Sequence, residues 1–381
     1  PALEIGLPLV RERTGLVLDP YFSGTKFAWL LEHRDIPVDD DLALGTIDSW
    51  LIWNLTGGEV FATDVTNASR TMLCDIRSRS WDPDLCHLLG VPMVALPEIV
   101  PSSGRIGITS SRCGAAEGIP VSGVAGDQQA ALFGQACVVP GMAKNTYGTG
   151  SFILLNVGEH CPPPTEGMLT TVAWTLADGT THYALEGAIF VTGAAIQWLR
   201  DGLQLIDDAA ATGPLASSVD DTGGVYFVPA LTGLGSPWWD PYARGTIVGI
   251  TRGTGRAEIA RATVESMAYQ TRDVVDAMVA ASGTGLRELR VDGGASVMDF
   301  LCQFQADQLG VQVLRPVEQE TTALGAAFLA GLAEGVWAST DDIGKAWALD
   351  ASFSPAADRA PADSLHATWL RAVDRSRAWE S

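Results

Sequence analysis

At 381 residues, 47% apolar and with a net charge of −21, the chain has room for about two or three cored domains and is too acidic for a general nucleic-acid or membrane-surface binder. No apolar run reaches the ~18 residues of a membrane span, and the opening PALEIGLPLVRER is expected not to be a secretory leader. The six cysteines form no C-x-x-C pair and gather no histidines, which predicts reduced thiols in a cytoplasmic protein without structural zinc.

Residues 1–14 read as the tail of something, without a helix start, although Arg11 and Arg13 suit a helix C-terminus. Ser23 and Thr25 are expected to cap a helix whose Phe27, Leu30 and Leu31 share one face. A second helix spans 45–55 and closes at Gly57-Gly58. The stretch 63–70, TDVTNASR, is polar and aperiodic and reads as a loop whose donors and acceptors suit a cleft wall. A short helical segment begins at Trp81-Asp82, and Pro92, Pro97 and Pro101 impose turns. Residues 105–135 predict strands followed by a helix.

Beyond the Pro140-Gly141 turn, strands are expected over 151–157 and 173–184. A helix is expected over 188–201, with Gly193 in its interior at a cost of about 1 kcal/mol against Ala. Strands follow at 225–230 and 245–250, then a long amphipathic helix at 257–281. The strand 288–291 runs into Asp292-Gly293-Gly294 and a helix at 298–309, a geometry that places phosphates at a helix N-terminus. A small-residue helix covers 320–331, and a final helix lies near 365–379. The fold class is α/β, with domains at 1–138 and 139–340 and a helical tail at 341–381.

The stretch 121–152, VSGVAGDQQAALFGQACVVPGMAKNTYGTGSF, carries the chemistry. Asp127 follows a short apolar run, with two amides beside it. A carboxylate so placed can hold a polyol and take a proton from one of its hydroxyls. The loop 144–151, KNTYGTGS, lets backbone N–H groups and hydroxyls approach phosphate oxygens closely. Acid/base group and phosphate cradle within one unit predict phosphoryl transfer to an alcohol. Only three lysines occur, Lys26, Lys144 and Lys345, and two of them fall in such motifs.

The segments YFSGTKFAWLLEH (21–33) and GTIVGITRGTGRAEIARATVE (245–265) resemble the two signatures of the FGGY carbohydrate kinases. Within that family, GDQQAALFGQ (126–135), DPYFSGTK (19–26), KNTYGTG (144–150), TNASRTML (66–73) and AIQWLRDGL (195–203) are similar to its glycerol kinases. The resemblance implies a two-lobed actin-like ATPase (ribonuclease H-like) fold, with ATP between the lobes and glycerol deeper in the cleft. It implies Asp127 as catalytic base and as an indirect Mg²⁺ ligand through water. Tyr21, Gln128 and Phe152 would bind glycerol. Thr149, Gly193, Gln197 and Gly294 would contact the nucleotide, with Met298 where the family has an Asn on the adenine side.

The family's N-terminal segment, with its first phosphate loop and an Arg-Glu pair for glycerol, has no counterpart before Tyr21. The chain therefore reads as an N-terminally truncated member that lacks part of the first lobe, with exposed apolar surface and poor solubility expected of it alone and its activity alone left open by the sequence. The segment 111–118 lacks the Gly/Arg pattern for fructose 1,6-bisphosphate and a His for phosphotransferase control, so both controls are expected to be absent. A dimeric or tetrameric homo-oligomer is compatible with the resemblance. The competing readings are another FGGY sugar or polyol kinase and a non-catalytic remnant.

Overall fold

The computed structural model describes residues 2–114 and 116–380. Pro1, Ala115 and Ser381 lie outside the described residues, and with them the expectations for the chain's first residue and for one position of the 111–118 segment.

The centre of the molecule is a seven-stranded mixed sheet: β1 (Met142–Tyr147), β2 (Ser151–Gly158), β3 (Leu169–Thr175), β4 (Thr181–Ile189), β5 (Glu288–Gly293), β6 (Gln312–Pro316) and β7 (Leu349–Phe353), in the order β7-β6-β5-β1-β2-β4-β3. β5 is parallel to both β1 and β6, and the other pairs are antiparallel. β1 to β4 are largely buried because both faces are covered there, while the edge strand β7 is mostly exposed. Five helices matter for the site: α1 (Asp127–Gly134), α2 (Gly193–Asp201), α3 (Arg256–Ser282), α4 (Asp299–Leu309) and α5 (Thr321–Ala333). Side chains alternate along each strand. Ala143, Tyr147, Ile153 and Leu185 pack with Val264 and Met267 of α3 and Leu301 of α4. Met142, Leu154 and Ala184 pack with Leu132 and Phe133 of α1 and Phe328 and Leu329 of α5.

The ends of α3 follow local chemistry. Glu258 reaches back to accept from the N–H of Gly255 at 2.8 Å, and Gly283 closes the helix at φ +68°. The helix is held to Ala360–Ser376 by buried Asp273, whose two carboxylate oxygens meet His366 Nε2 at 2.7 Å and Trp369 Nε1 at 2.8 Å.

In the first lobe the described strands pair two at a time: Ala62–Asp64 with Glu98–Val100, Cys74–Asp75 with Ser80–Trp81, and Ser103–Ile108 with Pro120–Gly123. The helix Ile47–Leu55 leaves Ile47 70% and Trp50 59% exposed.

α5 ties the halves together. Ser103 Oγ donates to Leu329 O at 2.8 Å, and α5 crosses α1 with glycine at the contact. A Cβ on Gly325 would stand 1.8 Å from Ala130 O, which is backbone and cannot rotate away. Gly325→Ala is therefore expected to cost about 1–3 kcal/mol by overpacking, read as a lower denaturation midpoint with an unchanged slope.

Several local expectations give way to tertiary packing. Ala2–Thr14 is a helix, despite Pro8 inside it, because Val10 is buried against Leu85 and Arg13 bonds Asp82 at 2.5 Å. Residues 63–70 are not a plain loop: Asp64 ends a strand and caps the short helix Val65–Ala68. Ser23 and Thr25 do not cap their helix; Phe22 occupies that position, and the Thr25 hydroxyl donates back to Phe22 O. Ala188 and Ile189 belong to β4, so Gly193 starts α2 and is not in its interior. A hairpin turn splits 173–184 between β3 and β4. After Gly293 a 3₁₀ turn, Gly294–Val297, precedes α4, which starts at Asp299. Nor is the segment 341–381 purely helical, since β7 is an edge of the main sheet.

Candidate active site

Asp127 is the first residue of α1 and is solvent-exposed; its Oδ1 accepts the N–H of Gln128 at 2.7 Å. The turn before it is fixed from the other end of the lobe. Gly126 N donates to Thr66 Oγ1 at 2.8 Å, and that hydroxyl donates to the Asp64 carboxylate, at 2.8 Å to Oδ2. Asp64 is fully buried and also accepts from Asn67 N at 3.0 Å and Ser102 Oγ at 2.7 Å. Burial pushes its carboxyl up to about 6, against the pull of these hydrogen bonds.

That shift has a sign. Between the ordinary value of 3.8 and about 6, the folded chain keeps a proton that the unfolded chain releases. The carboxyl's stabilisation is full below 3.8 and is lost as pH rises through about 6. The loss is on the order of 3 kcal/mol. Urea unfolding between pH 4 and 7 is expected to show a falling stability that Asp64→Asn flattens.

The phosphate-loop candidate, Gly148-Thr149-Gly150, turns from β1 into β2 and is braced by α2. Gly193 N donates to Gly148 O, and Ala194 N to Thr149 O, both at 3.0 Å. A Cβ on Gly193 would sit 2.5 Å from Gly148 O, so this close approach needs glycine.

The structure brings Thr149, Gly193, Gln197, Gly294 and Met298 together around one cleft of about 690 Å³. Gly148, Gly193, Gly213 and Gly294 line it beside larger side chains such as Ile196, Arg200, Val297 and Phe300. A cleft of this size, apolar over much of its wall with glycine turns and a few polar groups beside it, suits a nucleotide.

Asp127 and Tyr21 line a second cavity of about 910 Å³. Tyr21 and Phe152 line a third of about 450 Å³, with Arg70, Glu186 and Trp239. Tyr21 and Arg70 belong to both of these. Gly148 and Thr149 wall the first cleft, while Gly150 and Phe152 wall the third, so one loop separates the two.

Gln128 lines none of these three cavities; its Oε1 accepts from Lys144 Nζ at 2.6 Å. Among the described residues, no group of three or more His, Cys, Asp or Glu gathers as a metal site.

Sequence reasoning missed Glu186 and Trp239 and saw Arg70 only as part of a polar cleft wall. Glu186 is 2% exposed and pairs with Arg70 at 2.9 Å; the signal was a charge in an otherwise apolar strand, YALEGAI.

Comparison with known proteins gives three concordant findings. The N-terminal domain of the FGGY family of carbohydrate kinases matches residues 4–134, and its C-terminal domain matches residues 143–334. The chain is 57% identical to a glycerol kinase of Symbiobacterium thermophilum over 377 residues, covering 98% of this chain and 75% of that protein. It is 55% identical to glycerol kinase 2 of Thermotoga maritima, covering 97% of this chain and 75% of that one. The crystal structure of Plasmodium falciparum glycerol kinase with ADP superposes with a TM-score of 0.92 at 37% identity, covering 97% of this chain and 74% of that chain. No described helix is long and apolar enough to cross a membrane.

Proposed function

The chain belongs to the FGGY carbohydrate kinases and has their two-lobed actin-like fold, and from that footing we propose that it transfers the γ-phosphoryl group of ATP to a terminal hydroxyl of glycerol. The products are sn-glycerol 3-phosphate and ADP. The substrate reading is supported by the glycerol kinases it resembles at 55–57% identity. The observation that carries the site is the loop at 148–152, which walls the nucleotide cleft on one side and the Tyr21–Phe152 cavity on the other.

Asp127 accepts the proton of the attacking hydroxyl as its oxygen bonds to the γ-phosphorus and the bridge to ADP breaks. Tyr21 and Gln128 bind glycerol hydroxyls, and Phe152 packs on its carbons. Thr149, Gly193, Gln197 and Gly294 contact the nucleotide, and Met298 lies on its adenine side. Mg²⁺ would be held by the exposed Asp127 carboxylate through water, and would supply neutralisation of phosphate charge. Most of the acceleration comes from positioning. We place the reaction in the cytoplasm on its thiols, since the six cysteines are unpaired.

The test is ³¹P NMR of the chain with ATP, Mg²⁺ and glycerol. Glycerol 3-phosphate and ADP in equal amounts are expected. ADP formed at the same rate without glycerol would refute the reading.

A further inference from the structure

Lys144 is left unused by this chemistry. It is fully buried in β1, where Asn145 bonds Thr271 of α3 and Tyr147 bonds Gln305 of α4. Lys144 and Thr146 thus stand on the opposite face, toward α1. There the Lys144 Nζ donates to Gln128 Oε1 at 2.6 Å and to Thr146 Oγ1 at 3.0 Å. Burial lowers the lysine's pKa below its ordinary value, and Asp292, Glu186 and Asp127 oppose that shift without reversing it.

The Gln128 atom against Lys144 Nζ is the carbonyl oxygen, which accepts from it and so sets the amide's rotation. Its –NH₂ end is left with no protein acceptor among the described residues.

We propose that Lys144 is a positioning residue that locks the Gln128 amide with its –NH₂ end, and not its carbonyl, offered to the polyol. The inference rests on the reading of Gln128 as a glycerol ligand, reached beside Asp127 at the edge of a cavity that Asp127 lines and Gln128 does not. Two adjacent residues then present opposite functions: Asp127 accepts from one hydroxyl, and Gln128 donates to the oxygen of its neighbour. The same bond joins the strand that enters the phosphate loop to the helix that carries the base.

The experiment measures glycerol Kd by calorimetry, KM and kcat, and melting temperature, for Gln128→Ala, Gln128→Glu, Lys144→Met and the double variant Lys144→Met/Gln128→Ala. Gln128→Glu is expected to melt no lower than the parent, because a carboxylate meets the buried ammonium, yet to bind glycerol about 10-fold more weakly for loss of its donor. Lys144→Met is expected to raise glycerol KM several-fold with ATP KM unchanged. In the double variant, glycerol binding should be no weaker than in Gln128→Ala alone, since Lys144 acts through Gln128.

Additive losses in the double variant, or normal glycerol binding by Gln128→Glu, would overturn the proposal. Should Lys144→Met not fold, Gln128→Glu alone still decides it. If Gln128→Ala binds glycerol normally, the ligand reading itself fails, and the proposal with it.

Discussion

Asp127→Asn is expected to lower kcat by roughly 10²–10⁴-fold, the contribution of a positioned base, while ATP KM and melting temperature stay near the parent's. The two effects separate because Asp127 is exposed and its bond to the Gln128 N–H can be accepted by an Asn oxygen as well. The amide keeps the shape and loses the capacity to take a proton. Steady-state kinetics beside a thermal melt is the check. A variant that keeps more than a tenth of the parent kcat would remove Asp127 from the role of base.

Glu186→Ala is expected to have the largest effect on stability. The Arg70–Glu186 pair joins residues 116 apart in sequence, and the carboxylate is 2% exposed. Arg70 also stacks over Phe22, with its guanidinium carbon 5.2 Å from the ring centroid. Removing Glu186 leaves the guanidinium desolvated and without its partner, a change that costs about 3–5 kcal/mol in comparable buried pairs. Both residues wall the Tyr21–Phe152 cavity, so glycerol KM should rise as well. Arg70→Met/Glu186→Leu should recover much of the stability, because no charge is then stranded. Urea unfolding of the three chains tests this; a loss under 1 kcal/mol in Glu186→Ala would contradict it.

The parts legible in the sequence are those decided locally. The long helix read as 257–281 is Arg256–Ser282, because its apolar period and its Gly255 and Gly283 ends are all local signals. Asp127, Thr149 and Gly294 were legible because a carboxylate at a helix start and glycine-rich turns carry their chemistry in adjacent residues. Gln197, Phe152 and Met298 came from resemblance alone, and their positions in the clefts depend on which elements pack together. The helix Ala2–Thr14 was hidden because its stability comes from Leu85 and Asp82, seventy residues on, against the cost of its own Pro8. Lys144 stood out only as a scarce residue type; its partner on α1 becomes visible once β1 and α1 are stacked.

Glycerol as the phosphoryl acceptor is the step on which the proposed reaction turns. The most direct measurement is kcat/KM for glycerol beside a ketopentose and gluconate under one ADP-release assay. Glycerol is expected to be preferred by at least about 10²-fold, since a site built on donors and acceptors for a small polyol discriminates strongly against mismatched partners. A higher kcat/KM for the ketopentose would contradict it.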